Sequence, residues 1–204
     1  MKVLLINGSP NEFGCTYTAL REVEKELNAA GVDTEIFHIG TEPISGCSGC
    51  EGCAASGRCI IDDRVNDALE LAEKCDAYVF GSPVHYAGIA GDMKSFMDRF
   101  AWAGDHRLKP GAAVVTCRRG GATAALDGLN KYMTIAQMPL VSSCYWNMAH
   151  GKTPAELTQD LEGMQVMRTL GRNMAWLLKS IEAGRAAGLE KPLEEARIKT
   201  SFIR

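Results

Sequence analysis

The hydrophobic and polar positions of the chain form blocks that predict strands separated by amphipathic helices. An apolar run ends at Asn7-Gly8-Ser9-Pro10, and apolar residues then recur at helical spacing from Leu20 to Ala30. The same order of strand and helix is repeated along the chain. Further strands are predicted at 34–39, 76–81, 111–117 and, more weakly, 139–142, and further helices at about 63–72, 89–100, 122–136 and 153–184. This alternation predicts a parallel sheet covered by helices on both faces.

The number of strands and the long crossovers between them restrict the order of the sheet. Right-handed crossovers leave few orders open, and five strands with a ligand loop after the first favour the flavodoxin-like, doubly wound order 2-1-3-4-5. We therefore expect an α/β fold with one domain over 1–184 and a charged tail over 185–204. In this fold the ligand lies beyond the carboxyl ends of strands 1, 3 and 4. The loops 9–16, 82–88 and 117–123 are predicted to meet there.

The loop after the first strand has the properties of an anion site. Gly8 and Gly14 allow close approach of the backbone, and the N–H groups of such a loop converge at the positive end of the helix dipole. Neither G-x-x-x-x-G-K-[ST] nor G-x-G-x-x-G occurs there, which argues against an ATPase and a standard dinucleotide site. The alternative is an ordinary turn with Thr16 as the helix cap.

Composition and charge narrow the classes of function. The 204 residues are 46% hydrophobic and 23% charged, as in an ordinary globular domain, with a net charge of -3. This balance provides no basic surface for nucleic acid or an anionic membrane. No apolar stretch approaches the roughly 20 residues that cross a bilayer, and the first strand lacks a signal-peptide cleavage site. We expect a cytoplasmic protein with no nucleic-acid or membrane partner.

Two motifs resemble those of the NADPH-dependent FMN reductase family of flavodoxin-like proteins. The first is Gly8-Ser-Pro10 with Gly14-Cys-Thr16, and the second is Ser82-Pro-Val-His-Tyr-Ala-Gly88 followed by Asp92-Met-Lys-Ser-Phe-Met-Asp98-Arg99. The resemblance covers roughly residues 1–145. It implies an oxidoreductase with FMN as cofactor, NAD(P)H as electron donor, and a quinone, nitro compound, flavin or similar small molecule as acceptor.

The resemblance also implies a role for each loop. The first loop would hold the FMN phosphate, the loop after the third strand would line the isoalloxazine ring, and the loop after the fourth would flank it. The implied phosphate ligands are Ser9, Asn11, Cys15, Thr16 and Tyr17, the ring-lining residues are Pro83, Val84, His85, Tyr86 and Gly88, and the flanking residues are Thr116, Cys117, Arg118 and Gly120.

Three residues of this set are the candidate catalytic residues, namely His85, Tyr86 and Arg118. His85 stands where family members often have an aromatic residue, so it is expected to stack on the flavin, to donate a hydrogen bond, or to be an exposed loop histidine with neither role. Arg118 is expected to stabilise negative charge at the N1/C2 edge of the ring. Alternatively, Arg118 and Arg119 contact the 2′-phosphate of NADPH or belong to a solvated basic loop.

The eight cysteines indicate metal or redox chemistry, because disulfides are rare in cytosolic proteins. Four of them lie in the glycine-rich loop at about 40–63, as Cys47, Cys50, Cys53 and Cys59. Such close spacing is typical of iron–sulfur clusters, whereas structural zinc sites separate two cysteine pairs by a longer loop. The spacing resembles the motif of iron–sulfur flavoproteins, which add a [4Fe-4S] cluster to this fold. A cysteine-rich loop without metal and a zinc site remain the alternatives.

Two hypotheses for the function follow. The first is an FMN-dependent NAD(P)H oxidoreductase that acts on a small-molecule substrate, either with or without a [4Fe-4S] cluster as an electron relay. The second is an iron–sulfur flavoprotein or flavodoxin-like electron carrier that is reduced by a ferredoxin-like partner and has no substrate pocket of its own. The resemblance further implies a homodimer or homotetramer with its sites near the subunit interface.

Overall fold

The central sheet contains five parallel strands in the order β2-β1-β3-β5-β6, and a short β4 pairs antiparallel with the end of β3. The structure is a computed structural model that describes residues 1–202. The strands are β1 (Lys2–Asn7), β2 (Asp33–His38), β3 (Ala77–His85), β4 (Gly88–Ile89), β5 (Gly111–Cys117) and β6 (Met148–His150). Without the β4 hairpin, the parallel strands have the order 2-1-3-4-5, so the predicted flavodoxin-like α/β fold is confirmed.

Helices cover both faces of the sheet and enclose two hydrophobic cores. Along β1, Leu4 and Ile6 belong to one core while Val3 and Leu5 belong to the other, as the two-residue period of a strand requires. Helices α3, α4 and α5 pack on the first face, and α1 and α7 pack on the second. The helices are α1 (Cys15–Ala29), α2 (Cys53–Ser56), α3 (Arg64–Glu73), α4 (Gly91–Ala103), α5 (Ala122–Ile135), α6 (Pro154–Leu157) and α7 (Leu161–Ala186).

The fifth parallel strand lies later in the chain than predicted. Residues 139–142 make only an isolated bridge, between Leu140 and Gly111, while β6 (Met148–His150) pairs with the end of β5. Pro139 has no N–H for a sheet ladder and contributes only its carbonyl, which accepts from Gly111 N at 2.9 Å. The predicted strand is therefore wrong, and the carboxyl end of the fifth parallel strand is at His150.

The third strand is longer than predicted, because β3 continues through the segment 82–85 that was expected to be loop. It then reverses through a two-residue turn at Tyr86 and Ala87, whose φ angles are 49° and 58°. Positive φ at both positions is the signature of a type I′ hairpin turn. The segment predicted to line a ring is thus a hairpin, and α4 begins only at Gly91.

The predicted last helix is divided in two. Thr153 caps the short α6 by accepting from Glu156 N at 3.2 Å, and Pro154 takes the first helical position as expected. A second cap, Asp160, then accepts from Gly163 N at 2.9 Å and starts α7. Two cap residues seven positions apart explain why one continuous helix does not form.

Gly171 brings α7 close to α1. A Cβ at this position would lie 2.7 Å from the carbonyl oxygen of Val23, which is closer than real Cβ atoms approach. The glycine that was expected to weaken the last helix therefore permits the packing of two helices. Residues 187–202 contain no helix or strand, and the last two positions of the predicted tail lie outside the described residues. Within residues 1–202, no helix combines the length and apolar character needed to cross a bilayer.

Candidate functional site

A cleft of about 390 Å³ opens beyond the carboxyl ends of β1, β3 and β5, where the three predicted loops meet. Parallel α/β sheets bind ligands at this edge, at the point where the strand order reverses. Nine of the fourteen predicted cofactor-binding positions line the cleft. These residues are Ser9, Asn11, Cys15, Thr16, Pro83, Val84, Thr116, Cys117 and Arg118.

The first loop is held in shape by hydrogen bonds of its own. The buried side chain of Asn7 donates to Glu12 O at 2.8 Å and accepts from Ser9 N at 3.2 Å, and Ser9 Oγ accepts from Asn11 N at 3.1 Å. Gly8 must lack a side chain, because a Cβ there would overlap Met93. The sequence indicated a turn at Asn7, and only the structure shows that this residue ties the two ends of the loop together.

The first turn of α1 is chemically suited to an anion. Its cap residue, Gly14, has no side chain to accept from the first N–H groups, and the first turn contains no acidic residue. The caps of α3, α6 and α7 are the oxygen-bearing residues Asp63, Thr153 and Asp160, whereas α4 and α5, like α1, begin without a side-chain cap. N–H groups without a side-chain acceptor favour a phosphate in the cleft. The residues present therefore fit the phosphate of FMN.

Two polar contacts connect the loops around the cleft. Thr16 and Thr116 are both buried, and their hydroxyl oxygens lie 3.0 Å apart in a hydrogen bond between the start of α1 and the end of β5. The Cys15 thiol donates to Gly151 O at 3.6 Å. Burial raises the pKa values of Cys15 and Cys117, so both thiols stay protonated at neutral pH and add no negative charge to an anion site.

A fourth segment, Gly151–Pro154, also lines the cleft, although it lies outside the three predicted loops. It follows β6, whose position was predicted wrongly, so its place at the carboxyl edge of the sheet was not recognised. Correct placement of the fifth strand would have been sufficient to find it. Its Lys152 joins Arg118 as a second cation at the cleft, and Phe13 and Gly14 complete the lining.

Five predicted residues lie outside the lining of the cleft. They are Tyr17, His85, Tyr86, Gly88 and Gly120. The hairpin that carries three of them packs against the third loop, because a Cβ on Gly121 would lie 2.6 Å from Ala87 Cα. Gly121 has a φ of 90°, so both the conformation and the contact require glycine. Roles for the exposed His85 and Tyr86 remain predictions.

The four loop cysteines line a second, smaller cavity, together with Arg99 and Trp102. All four are free thiols, with Cys47 and Cys50 exposed and Cys53 and Cys59 half-buried. In the described part of the chain, no three His, Cys, Asp or Glu side chains are gathered in a group that could hold a metal ion. The thiols thus share a cavity without being drawn together around one point.

The donor chemistry at this cavity nevertheless matches an iron–sulfur site. Four cysteine thiols are the usual ligands of such clusters, and N–H groups directed at the sulfurs are a usual second layer. Gly49 N donates to Cys47 Sγ at 3.4 Å and Arg99 Nε donates to Cys59 Sγ at 3.2 Å. Hydrogen bonds from Gly52 N and from the Ser48 hydroxyl lower the pKa of Cys50, which favours its thiolate form. The ligand set therefore fits, and the cluster remains a prediction.

Arg99 anchors the cysteine loop to α4. Its guanidinium is buried and forms a two-point ion pair with Asp63, at 2.6 and 2.9 Å. The same group donates to Ile61 O at 2.8 Å and to Ser45 O at 3.3 Å, beside its contact with Cys59. Burial acts to lower the pKa of Arg99, but the contacts with Asp63 and Cys59 outweigh it and raise the pKa, so the group stays charged.

The sequence is similar to those of known proteins. The chain matches the family described as NADPH-dependent FMN reductase over residues 1–153. It is 33% identical to an iron–sulfur flavoprotein of Archaeoglobus fulgidus over 174 residues, which span 82% of this chain and 86% of that protein. An iron–sulfur flavoprotein of Methanocaldococcus jannaschii is 28% identical over 192 residues, 89% of this chain and 100% of that protein.

A solved structure shares the fold. The NAD(P)H:quinone oxidoreductase from Methanothermobacter marburgensis superposes with a TM-score of 0.66 at 14% sequence identity. The match covers 85% of this chain and 96% of that one.

Proposed function

The chain belongs to the NADPH-dependent FMN reductase family and is a flavin-dependent oxidoreductase, and we propose that it uses FMN to pass electrons from NAD(P)H to a small acceptor. The observation that carries the proposal is the cleft at the carboxyl ends of the strands, where an uncapped helix N-terminus faces two cations. The family description and the fold shared with a quinone oxidoreductase support an acceptor such as a flavin or a quinone.

Residues of this chain have distinct tasks in the proposed site. Bound FMN supplies the electron-accepting and electron-releasing chemistry. Ser9, Asn11 and the first turn of α1 would hold the phosphate, since they line the part of the cleft where the first N–H groups of α1 have no side-chain acceptor. Pro83 and Val84 would line the ring, and Arg118 would place positive charge near its electron-rich edge or accept the 2′-phosphate of NADPH.

We further propose that Cys47, Cys50, Cys53 and Cys59 ligate a [4Fe-4S] cluster. Support comes from their shared cavity, from the N–H donors at two of the sulfurs, and from relatives that are called iron–sulfur flavoproteins. A chain that holds the cluster is also suited to the alternative role, an electron carrier that accepts electrons from a ferredoxin-like partner. A zinc site and a loop without metal are the other outcomes that experiment distinguishes.

The absorption spectrum of protein purified without oxygen, before and after dithionite, tests the cofactors. Two flavin bands that bleach on reduction indicate FMN, and a broad brown shoulder beneath them indicates the cluster. Fast reduction of the bound flavin by NADPH then supports the reductase. Slow reduction by NADPH together with fast reduction by ferredoxin supports the carrier. Protein that takes up no flavin when FMN is added would refute the proposal.

The cysteine site is tested by replacing one predicted ligand. Cys50→Ser should abolish bound iron and retain FMN, because the cysteine cavity and the flavin cleft have no lining residue in common. Cys144→Ser is the matched control, since Cys144 is an exposed cysteine outside the loop. Equal iron in the two variants, measured by a ferrozine assay, would exclude the cluster ligands proposed here.

A homodimer or homotetramer in the cytoplasm is also part of the proposal. Large exposed aromatic side chains, including Phe13 at the cleft and Trp146 before β6, support an interface near the site. All eight cysteines are free thiols, which the reducing cytoplasm maintains. Light scattering during gel filtration should give a mass that is two or four times 22.1 kDa.

A further inference from the structure

The first loop of the cleft contains no cation of its own. Residues 7–17 include one acid, Glu12, and no lysine or arginine. A flavin phosphate carries up to two negative charges at neutral pH, and a cation that lies against such a group strengthens its binding. Any positive side chain at this cleft must therefore come from another segment. Arg118 and Lys152 are the two cations that line it.

These two cations follow neighbouring strands at the carboxyl edge of the sheet, Arg118 after β5 and Lys152 after β6. The loop that bears Arg118 packs on the β3–β4 hairpin, through the contact of Gly121 with Ala87. The segment that bears Lys152 contacts the start of α1, through the hydrogen bond from Cys15 Sγ to Gly151 O, and it is also bonded to the end of β5. Lys152 is therefore next in the chain to a residue that is bonded to the start of α1, where the phosphate is proposed to bind.

The position of Lys152 is well defined by its backbone. Gly151 N donates to Cys117 O at 3.0 Å, and Lys152 N donates to Glu156 Oε2 at 2.8 Å. A Cβ on Gly151 would lie 2.5 Å from Leu157 N, so the segment is packed closely on α6. These contacts hold the base of the lysine in place and leave its long side chain free to reach a ligand.

The charge of Lys152 is not used elsewhere in the structure. Neither its ammonium group nor the Arg118 guanidinium makes an ion pair or a side-chain hydrogen bond with any residue among 1–202. Glu156 is the nearby acid, since its charge helps to raise the pKa of Cys15. Without a cation, this carboxylate would repel a phosphate, so Lys152 also offsets its effect.

We propose that Lys152 is a phosphate ligand of the flavin and makes this chain select FMN over riboflavin. The inference rests on the proposed FMN site and assigns to it a residue outside the three predicted loops. An ammonium group on a flexible stem is a mobile point charge with three donors, which suits an oxyanion at an open cleft. One charge-assisted hydrogen bond of this kind should change affinity by about tenfold.

The test compares two flavins that differ only in the phosphate. Apoprotein is titrated with FMN and with riboflavin, and quenching of flavin fluorescence gives each Kd. Lys152→Gln should raise the Kd for FMN about tenfold and leave the Kd for riboflavin unchanged. Lys152→Arg should retain most of the preference for FMN over riboflavin. Lys131→Gln is the charge-matched control, because Lys131 is an exposed residue of α5 that does not line the cleft. The unchanged riboflavin affinity also shows that the variant is folded.

Each outcome separates the inference from the function it rests on. A wild-type protein that binds FMN no better than riboflavin would overturn the phosphate site itself. A wild-type preference that persists unchanged in Lys152→Gln would leave the site standing and overturn the role of Lys152. An equal loss in Lys152→Gln and Lys131→Gln would mean that only the net charge of the protein matters, which also overturns it.

Discussion

Replacement of Arg99 by methionine should destabilise the protein and release its cysteine loop. The guanidinium joins α4 to Ser45, Cys59, Ile61 and Asp63 through five hydrogen bonds. Methionine has comparable length and fills apolar space, so the variant removes these bonds and the charge without leaving a large cavity. The predicted effect is therefore mainly electrostatic.

The magnitude follows from the burial of the two charges. Removal of one partner of a buried ion pair costs about 3 to 5 kcal/mol. The Arg99 side chain is 1% exposed, but that of Asp63 is 27% exposed, so water partly solvates the carboxylate that is left behind. We therefore expect the lower end, about 3 kcal/mol of unfolding free energy. For a domain of this size, that loss lowers Tm by about 6 to 12 °C.

Arg58→Met is the matched control for this prediction. Arg58 lies in the same loop and also pairs with two acids, Asp62 and Glu70, but its side chain is 46% exposed. Solvent screens such pairs, so its loss should shift Tm far less. Asp63→Asn is a less specific test, because Asp63 Oδ1 also caps α3 by accepting from Val65 N.

The assay is urea and thermal unfolding followed by circular dichroism, together with limited proteolysis of the native protein. Cleavage within 45–63 should become faster in Arg99→Met and stay slow in Arg58→Met. If the two variants melt within about 2 °C of each other, burial does not set the strength of this ion pair and the reasoning is wrong.

Two further predictions concern the scaffold. Gly171→Ala should lower the free energy of unfolding by about 1 to 3 kcal/mol, because the new Cβ would overlap Val23 O. Gly128→Ala should raise it by about 0.5 to 1 kcal/mol, because no atom lies within 4 Å of the new Cβ and alanine has the higher helix propensity. Changes of opposite sign in the free energy of unfolding, measured in urea, support this prediction, whereas an increase in both variants would contradict it. Burial lowers the pKa of His106, and the hydrogen bond to Phe100 O opposes this effect only partly. As the pH falls below about 6.5, the unfolded chain therefore takes up a proton at His106 that the folded chain does not. Stability should then fall by up to about 1.4 kcal/mol per pH unit as the pH drops, and His106→Gln should remove that slope between pH 7 and pH 5. An identical slope in both proteins would exclude His106 as its source.

The cysteine loop has one feature that is visible in the sequence, its cysteine spacing, and one that only the structure shows, its contact with Arg99. The spacing of Cys47, Cys50, Cys53 and Cys59 is visible in the sequence and is sufficient to predict a redox or metal function. That Arg99, forty residues after Cys59, would donate to its sulfur is not visible, because a motif records neighbours along the chain and not across it.

The error at the fifth strand has a similar origin. Residues 139–142 and 148–150 are both short and apolar enough to be strands, and local propensity does not decide between them. Pairing with the end of β5 selects Met148–His150. Because β6 ends at His150, the following segment Gly151–Pro154 lies at the edge of the cleft, and Lys152 is one of its lining residues.

The sequence by itself determined the alternation of strands and helices, the strand order, the turn chemistry of the first loop and the family. These features depend on periodicity, on crossover handedness and on residues adjacent in the chain, so they can be read locally. Only the tertiary structure decided that β3 ends in a hairpin, that Gly171 seats α7 on α1, that Arg99 holds the cysteine loop and that Lys152 faces the cleft. Each of these joins residues distant in the chain, and such contacts are selected by packing and charge pairing in the complete fold.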